Sequence, residues 1–122
     1  MSKRVLLIED EPNIIEAIRF ILARDGWIVD THSDGATALE AIETKMPDLV
    51  ILDVMLPNRS GYDITRDLRA REDLADLPIM MLTARGQEKD RDIAAAVGVN
   101  HFMTKPFSNA DVLEQVRALT AT

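Results

Sequence analysis

The chain has 122 residues, of which 47% are hydrophobic and 29% charged, and its 14 basic and 21 acidic residues give a formal net charge of −7. This composition indicates one globular domain over residues 1–122 and excludes a largely disordered chain. The acidic balance argues against a nucleic-acid or anionic-membrane surface, because both need clustered Lys and Arg. The absence of cysteine excludes disulfides, Cys-ligated zinc and thiol catalysis. No apolar run is long enough for a signal peptide or a membrane span, so we expect a soluble cytoplasmic domain.

Short apolar runs alternate with helical patterns along the chain. Three continuous runs, Val5–Ile8, Leu49–Leu52 and Ile79–Leu82, are typical of strands buried on both faces of a parallel sheet. Two segments of mixed polarity, Trp27–Thr31 and Val99–Met103, predict strands at the edges of the same sheet.

One helical pattern follows each predicted strand. Asp34 and Ser108 stand at positions typical of helix caps, and Gly98 ends the fourth helix. The alternation predicts an α/β fold, a doubly wound five-stranded parallel sheet with right-handed crossovers and helices on both faces. The apolar positions of the five helices are, in chain order, Ile14, Ile18, Ile21 and Leu22; Ala38, Leu39 and Ile42; Ile64 and Leu68; Ile93, Ala94 and Val97; and Val112, Leu113, Val116 and Leu119.

Polar residues follow four of the predicted strands at their carboxyl ends, where open α/β sheets bind ligands. Glu9 and Asp10 follow the first strand, Asp53 the third, Thr83 the fourth and Lys105 the fifth. If the chain reverses after the second strand, the first and third strands become neighbours and the three carboxylates share one site. Such a site needs either protonation or cations, because like charges disfavour each other's ionisation.

An all-oxygen set of ligands favours Mg²⁺ over zinc or iron. Lys105 would supply a positive charge opposite the carboxylates, and Thr83 a hydroxyl that can donate a hydrogen bond. Each residue alone also has a plain structural interpretation: Asp53 as a turn or cap residue, Glu9 and Asp10 in a solvated loop, Thr83 as a helix cap and Lys105 on the surface. Their joint occurrence at strand ends favours a site.

Four motifs, in this order and spacing, resemble the receiver domain of two-component response regulators. They are VLLIEDE at Val5–Glu11, PDLVILDVMLP at Pro47–Pro57, LTA at Leu82–Ala84 and FMTKPF at Phe102–Phe107. The resemblance covers the chain from Lys3 to about Leu119. It implies a flavodoxin-like sheet with the strand order 2-1-3-4-5.

The resemblance also implies a role for each residue of the acidic cluster. Asp53 would accept a phosphoryl group from a histidine kinase or a histidine phosphotransfer protein, in a reaction that depends on Mg²⁺. The implied metal ligands are Asp10 directly, Glu9 through water, Asp53 and the backbone carbonyl of Met55, and Mn²⁺ could replace Mg²⁺. Lys105 would pair with the phosphoryl group, as the charge distribution in phosphoryl transfer requires.

The output of such a domain is a change of surface. By resemblance, Thr83 is the switch hydroxyl, Phe102 the aromatic residue that turns inward, and Ala84 a further phosphoryl contact. The bond between Lys105 and Pro106 would be cis. A downstream effector protein or domain would read the face formed by the fourth helix, fifth strand and fifth helix.

The chain departs from the pattern of many transcription-factor receivers at that output face. Asn100 and His101 stand where two acidic residues are often found, and Gln115 replaces an arginine in the fifth helix. These departures weaken the expectation of a dimer held by charged pairs on this face.

Three rival functions remain. An electron carrier that binds FMN would need a phosphate-binding loop after the first strand, where the acidic segment Glu9–Pro12 would repel the phosphate. A small aspartyl phosphatase would need a second aspartate where Met55 stands. A degenerate receiver would not be expected to retain a complete set of site residues. We therefore expect a phosphorylatable signalling switch and not a metabolic enzyme, on the strength of Asp10, Asp53, Thr83 and Lys105.

Overall fold

The computed structural model describes residues 3–84 and 86–121, in which strands and helices alternate. Among these residues, no helix is both long and apolar enough to cross a bilayer. A short 3₁₀ helix, Gly35–Thr37, precedes the second α-helix. The strands are β1 (Lys3–Ile8), β2 (Trp27–His32), β3 (Leu49–Asp53), β4 (Ile79–Thr83) and β5 (His101–Thr104), and the helices are α1 (Pro12–Arg24), α2 (Ala38–Lys45), α3 (Gly61–Ala70), α4 (Glu88–Val97) and α5 (Asn109–Thr120).

The five strands form one parallel sheet in the order β2-β1-β3-β4-β5. The predicted reversal after β2 is therefore confirmed, and it makes β1 and β3 neighbours. In the register of the sheet, Asp53 lies opposite Leu82, and Thr83 lies opposite Thr104. The carboxyl ends of the central strands thus end at the same edge, where their following residues can meet.

The apolar strands β1, β3 and β4 are buried on both faces, as their continuous hydrophobic runs predict. Successive side chains enter opposite layers, one shared with α2, α3 and α4 and the other with α1 and α5. The first layer contains Leu6, Ile8, Val50, Leu52, Ile64, Leu68, Met81 and Ala94. The second layer contains Val5, Leu7, Ile18, Leu22, Leu49, Ile51, Val112 and Val116.

The cap predicted at Ser108 is confirmed, whereas Asp34 caps the 3₁₀ helix and not α2, whose cap position is Thr37. The side chain of Asp34 accepts a hydrogen bond from the backbone of Ala36, where the 3₁₀ helix begins, and Ser108 accepts one from the backbone of Asp111. Each satisfies an amide that the first turn of a helix leaves unpaired. Gly98 ends α4 in the left-handed conformation.

Two predictions in the last third of the chain need correction. β5 begins at His101 and not at Val99, because the amide of Val99 still donates to the carbonyl of Ala94 in the last turn of α4. In α4, Ala94 is buried whereas Ile93 is exposed. Adjacent helical residues point about 100° apart, so turning Ala94 toward the sheet turns Ile93 away from it.

Candidate functional site

The polar residues that follow the strands meet at the carboxyl edge of the sheet. Glu9 follows β1 directly, and its amide donates to the carbonyl of His32 at the end of β2, with an N···O distance of 2.9 Å. Asp53 and Thr83 are the last residues of β3 and β4. Lys105 follows β5, and its amide donates to the carbonyl of Thr83 at 2.8 Å. Backbone bonds between neighbouring strands therefore fix the spacing of these residues.

Three carboxylates form one cluster at this edge. Glu9, Asp10 and Asp53 each offer one oxygen, and these oxygens all lie within 4.8 Å of one another. Glu9 and Asp53 are buried, with 1% and 5% of their surface exposed, whereas Asp10 faces solvent. The cluster is therefore open to solvent at Asp10.

Lys105 provides the positive charge inside this cluster. Its Nζ lies 2.7 Å from Oε1 of Glu9 and 3.1 Å from Oδ2 of Asp53. The other carboxylate oxygen of Asp53, Oδ1, accepts a hydrogen bond from the backbone amide of Met55 at 3.2 Å. Both oxygens of Asp53 are thus held in place, one by a cation and one by the loop that follows β3.

Burial controls the electrostatics of the pair formed by Glu9 and Lys105. Desolvation, reinforced by the adjacent Asp53, raises the pKa of Glu9 to about 8, although Lys105 opposes the shift. Burial alone would lower the pKa of Lys105, but its contacts with Glu9 and Asp53 raise it overall. At neutral pH the ammonium group of Lys105 is therefore charged, and Glu9 retains its proton.

The donor set fits a hard divalent cation. Oε2 of Glu9 is buried and has no hydrogen-bond donor among the described residues. Three carboxylates face a single ammonium group, so a dipositive ion would balance the cluster when all three are ionised. Carboxylate oxygens are the ligands that Mg²⁺ prefers, and Mg²⁺ usually keeps several waters, which the exposed side at Asp10 leaves room for.

An open cavity of about 300 Å³ gives access to the cluster. Met55 and Ala84 are both exposed at this cavity. Its full lining is Asp10, Glu11, Pro12, Asp53, Met55, Ala84 and Lys105. A group the size of a phosphoryl can therefore reach Asp53 and Lys105 from solvent without a rearrangement of the sheet.

The interpretation of Thr83 as a helix cap is wrong. Thr83 is fully buried at the end of β4, and the residue that caps α4 is Gln87, four positions further along the chain. On the neighbouring strand, Phe102 is half-buried against the core layer of α2, α3 and α4. The guanidinium of Arg91, on α4, lies 5.0 Å from the centroid of the Phe102 ring.

Two further residues hold the site in ways that the sequence did not reveal. The backbone amide of Gly61, the first residue of α3, donates to the carbonyl of Val54 at 2.9 Å and so closes the loop after Asp53. Arg91 was also missed, because its contact with Phe102 depends on the rotation of α4. For Gly61, the signal in the sequence is its position directly after the helix cap Ser60.

The position of Asn100, one of the departures at the output face, is explained by the packing. Its Oδ1 accepts from Nη2 of Arg69 at 2.7 Å and from the amide of Ile79 at 2.8 Å. Burial and the charge of Arg91 lower the pKa of the adjacent His101. The predicted cis bond between Lys105 and Pro106 is confirmed.

Known sequences and structures resemble this chain over nearly its whole length. The family model described as the response regulator receiver domain matches residues 5–117. The alkaline phosphatase synthesis transcriptional regulatory protein PhoP of Bacillus subtilis is 40% identical over 119 residues, which cover 98% of this chain and 49% of that protein. This chain spans about half the length of the curated relatives that it matches.

Two solved structures have the same architecture. The receiver domain of the sensor histidine kinase PA1611 from Pseudomonas aeruginosa, which has a magnesium ion coordinated in its active-site cleft, is 30% identical with a TM-score of 0.90, and the match covers all of both chains. The BeF3-activated receiver domain of Klebsiella pneumoniae RstA is 28% identical with a TM-score of 0.91, over 98% of this chain and 100% of that one.

Proposed function

Because this chain belongs to the response regulator receiver family, which acts in two-component phosphorelay signalling, we propose that Asp53 is the residue that accepts the phosphoryl group. The observation that carries the proposal is the setting of its carboxylate. Asp53 lies at the open cavity, within 4.8 Å of two other carboxylates and 3.1 Å from the ammonium of Lys105. This is the charge arrangement that phosphoryl transfer needs, since its transition state spreads negative charge over three oxygens.

Mg²⁺ is the proposed cofactor, with Mn²⁺ as a substitute. Glu9, Asp10, Asp53 and the backbone carbonyl of Met55 would hold it. When bound, the ion supplies positive charge to the phosphoryl oxygens. The magnesium ion in the PA1611 receiver supports this assignment, as do the oxygen-only donors and the Oε2 atom of Glu9, which has no hydrogen-bond partner among the described residues.

The protein's own residues perform the transfer chiefly by positioning. A carboxylate oxygen of Asp53 attacks the phosphorus of a phosphohistidine, the nitrogen–phosphorus bond breaks, and the imidazole leaves. Lys105 exchanges its contact with Asp53 for one with a phosphoryl oxygen. Thr83 and Ala84, at the end of β4, contact the remaining phosphoryl oxygens.

The consequence of phosphorylation is a change of surface and not turnover of a metabolite. Thr83 moves toward the phosphoryl group, and Phe102 turns into the space that it leaves. The domain is therefore a switch that promotes only its own phosphorylation and dephosphorylation. The added charge of roughly −1.5 to −2 provides the driving force.

The proposed partners follow from this scheme. A histidine kinase or a histidine phosphotransfer protein donates the phosphoryl group, and an effector protein or domain reads the face formed by α4, β5 and α5. Direct binding of nucleic acid or membrane by this chain is not expected, because its net charge is −7. The proposed location of the domain is the cytoplasm.

The test is phosphorylation by acetyl phosphate, with intact-mass detection, in the presence of Mg²⁺ or of a chelator. We expect one phosphoryl group per chain in wild type with Mg²⁺, and none after chelation. Asp53→Asn should abolish the label. Asp92→Asn, a matched change at an exposed position on α4, should retain it. A label that persists in Asp53→Asn, or that is indifferent to the chelator, would contradict the proposal.

A further inference from the structure

A cation on α4 contacts the aromatic side chain of β5. The guanidinium of Arg91 lies 5.0 Å from the ring centroid of Phe102. Arg91 is exposed, and within the described residues it forms no salt bridge at 4.0 Å or less. A guanidinium over an aromatic face is attracted by the quadrupole of the ring. The ring of Phe102 is therefore held on one side by the core and on another by Arg91.

Other contacts anchor the backbone of α4. The hydroxyl of Tyr62 donates to the backbone carbonyl of Asp90 at 3.2 Å. At the opposite end, Nε of Arg69 donates to the carbonyl of Gly98 at 2.9 Å. Both bonds fix the backbone of the helix to α3.

The ring position of Phe102 coexists with a direct contact between Lys105 and Asp53. Nζ of Lys105 lies 3.1 Å from Oδ2 of Asp53, a direct contact that a phosphoryl group on that oxygen would break. Phe102 stands three residues before Lys105 on the same segment and opposite Met81 on β4. A contact that holds the ring in this position therefore favours the resting arrangement.

We propose that Arg91 is a positioning residue of the switch: by stabilising Phe102 in its resting position, it lowers the affinity of the site for the phosphoryl group. This inference rests on the proposed function. Coupling between two equilibria is reciprocal. A contact made only in the resting state therefore weakens phosphoryl binding by the same factor by which it increases the population of that state. For a cation–π contact of this exposure, that factor is about two- to fivefold.

The experiment measures the affinity for beryllofluoride, a phosphoryl mimic, at saturating Mg²⁺. Titrations followed by NMR compare wild type, Arg91→Met, Arg91→Lys and the control Lys89→Met, which removes the same charge from an exposed position on α4. Light scattering selects a concentration at which every variant is monomeric. We expect Arg91→Met to bind two- to fivefold more tightly, and Arg91→Lys and Lys89→Met to stay closer to wild type.

A second measurement separates positioning from a general loss of structure. In unliganded Arg91→Met, the ring signals of Phe102 should move toward their beryllofluoride-bound positions, while the Mg²⁺ affinity and the melting temperature stay unchanged. In a Phe102→Leu background, Arg91→Met should have no effect on beryllofluoride affinity, because the ring is gone.

Each other result has a distinct meaning. Equal or weaker beryllofluoride binding by folded Arg91→Met, or an undiminished effect in the Phe102→Leu background, overturns the inference and leaves the proposed function intact. Failure of folded wild type to bind beryllofluoride overturns the proposed function itself, and with it the inference that rests on it.

Discussion

Gly61 lies against the backbone of Asp53 so closely that a β-carbon at residue 61 would come within 2.3 Å of the Asp53 carbonyl oxygen. The obstacle is backbone and not the flexible end of a side chain, so the residue could not be accommodated by a change of rotamer. α3 can therefore begin directly beside the end of β3 only because residue 61 has no side chain.

Gly61→Ala should consequently displace the start of α3 or the end of β3. We expect the free energy of unfolding to fall by about 1–3 kcal/mol, as in other overpacked sites, and beryllofluoride binding to weaken. Gly26→Ala is the control: its φ is +92°, but open space surrounds it. It should cost about 1–2 kcal/mol through backbone strain and leave beryllofluoride affinity unchanged. Urea unfolding and beryllofluoride titration measure both effects, and wild-type affinity in Gly61→Ala would contradict this account.

The raised pKa of Glu9 predicts how stability depends on pH. The folded protein keeps a proton on Glu9 up to about pH 8, whereas the unfolded chain releases it near the ordinary value of 4.5. Between these values the folded state binds more protons, so this group's contribution to the free energy of unfolding falls as pH rises from 5 to 8. Saturating Mg²⁺ should reduce the decline, because the ion stabilises the ionised carboxylates.

Glu9→Gln isolates this contribution. His101, whose pKa is lowered by burial and by Arg91, acts in the opposite direction: its contribution rises with pH up to its ordinary value of 6.5. The difference between wild type and Glu9→Gln cancels that effect. Thermal or chemical unfolding in chelator at several pH values gives the difference, and a parallel pH profile in the two proteins would show that Glu9 does not hold the proton.

Loss of the ammonium group at Lys105 should be costly. Lys105→Met leaves Glu9 and Asp53 buried without a counter-charge, and we expect a loss of about 3–5 kcal/mol at pH 8 in chelator. The loss should be smaller at pH 6, where Glu9 takes up a proton. Adding Glu9→Gln to Lys105→Met should restore part of the stability.

Lys45→Met is the matched control, since the ammonium of Lys45 lies 4.0 Å from Asp30 and both side chains are far more exposed. Its cost should stay below about 1 kcal/mol, as for other surface pairs. Comparable losses in the two variants, measured by urea unfolding, would rule out a special role for the buried cation.

Thr83→Ala should separate phosphoryl acceptance from the response to it. Asp53 should still be phosphorylated, because the three carboxylates and Lys105 are intact. The variant lacks the hydrogen bond from the Thr83 hydroxyl to a charged phosphoryl oxygen, which is worth about 1.5–3 kcal/mol. Hydrogen exchange of residues 86–104 should then respond weakly to beryllofluoride. Thr65→Ala, at a buried threonine whose hydroxyl donates to the carbonyl of Gly61, should retain the full response. Equal responses in wild type and Thr83→Ala would place the switch elsewhere.

The sequence was sufficient to predict the central sheet and the meeting of the site residues. Continuous apolar runs fix which strands are buried, and the parallel alternation brings their carboxyl ends to one edge, so Glu9, Asp53 and Lys105 had to be close. It was not sufficient for contacts set by the docking of a helix. The rotation of α4, which exposes Ile93 and lays Arg91 over Phe102, depends on packing against segments distant in the chain.

The sequence was also not sufficient to predict which carboxylate of the cluster is protonated. Like-charge repulsion among the carboxylates was predictable, but which of them retains the proton depends on burial. Glu9 is more deeply enclosed than Asp10, its neighbour in the chain, because one follows the strand into the core and the other turns toward solvent. Which of the two side chains is buried depends on the alternating side-chain directions at the end of the folded strand.

The ion pair between Lys105 and Glu9 joins residues 96 positions apart, nearly the two ends of the domain. During synthesis the acidic residues leave the ribosome first, and the cation that neutralises them leaves last. A nascent chain that has not yet released β5 therefore carries the carboxylates without their counter-charge, and the site proposed for phosphorylation is incomplete. Competence for signalling is thus tied to completion of the fold.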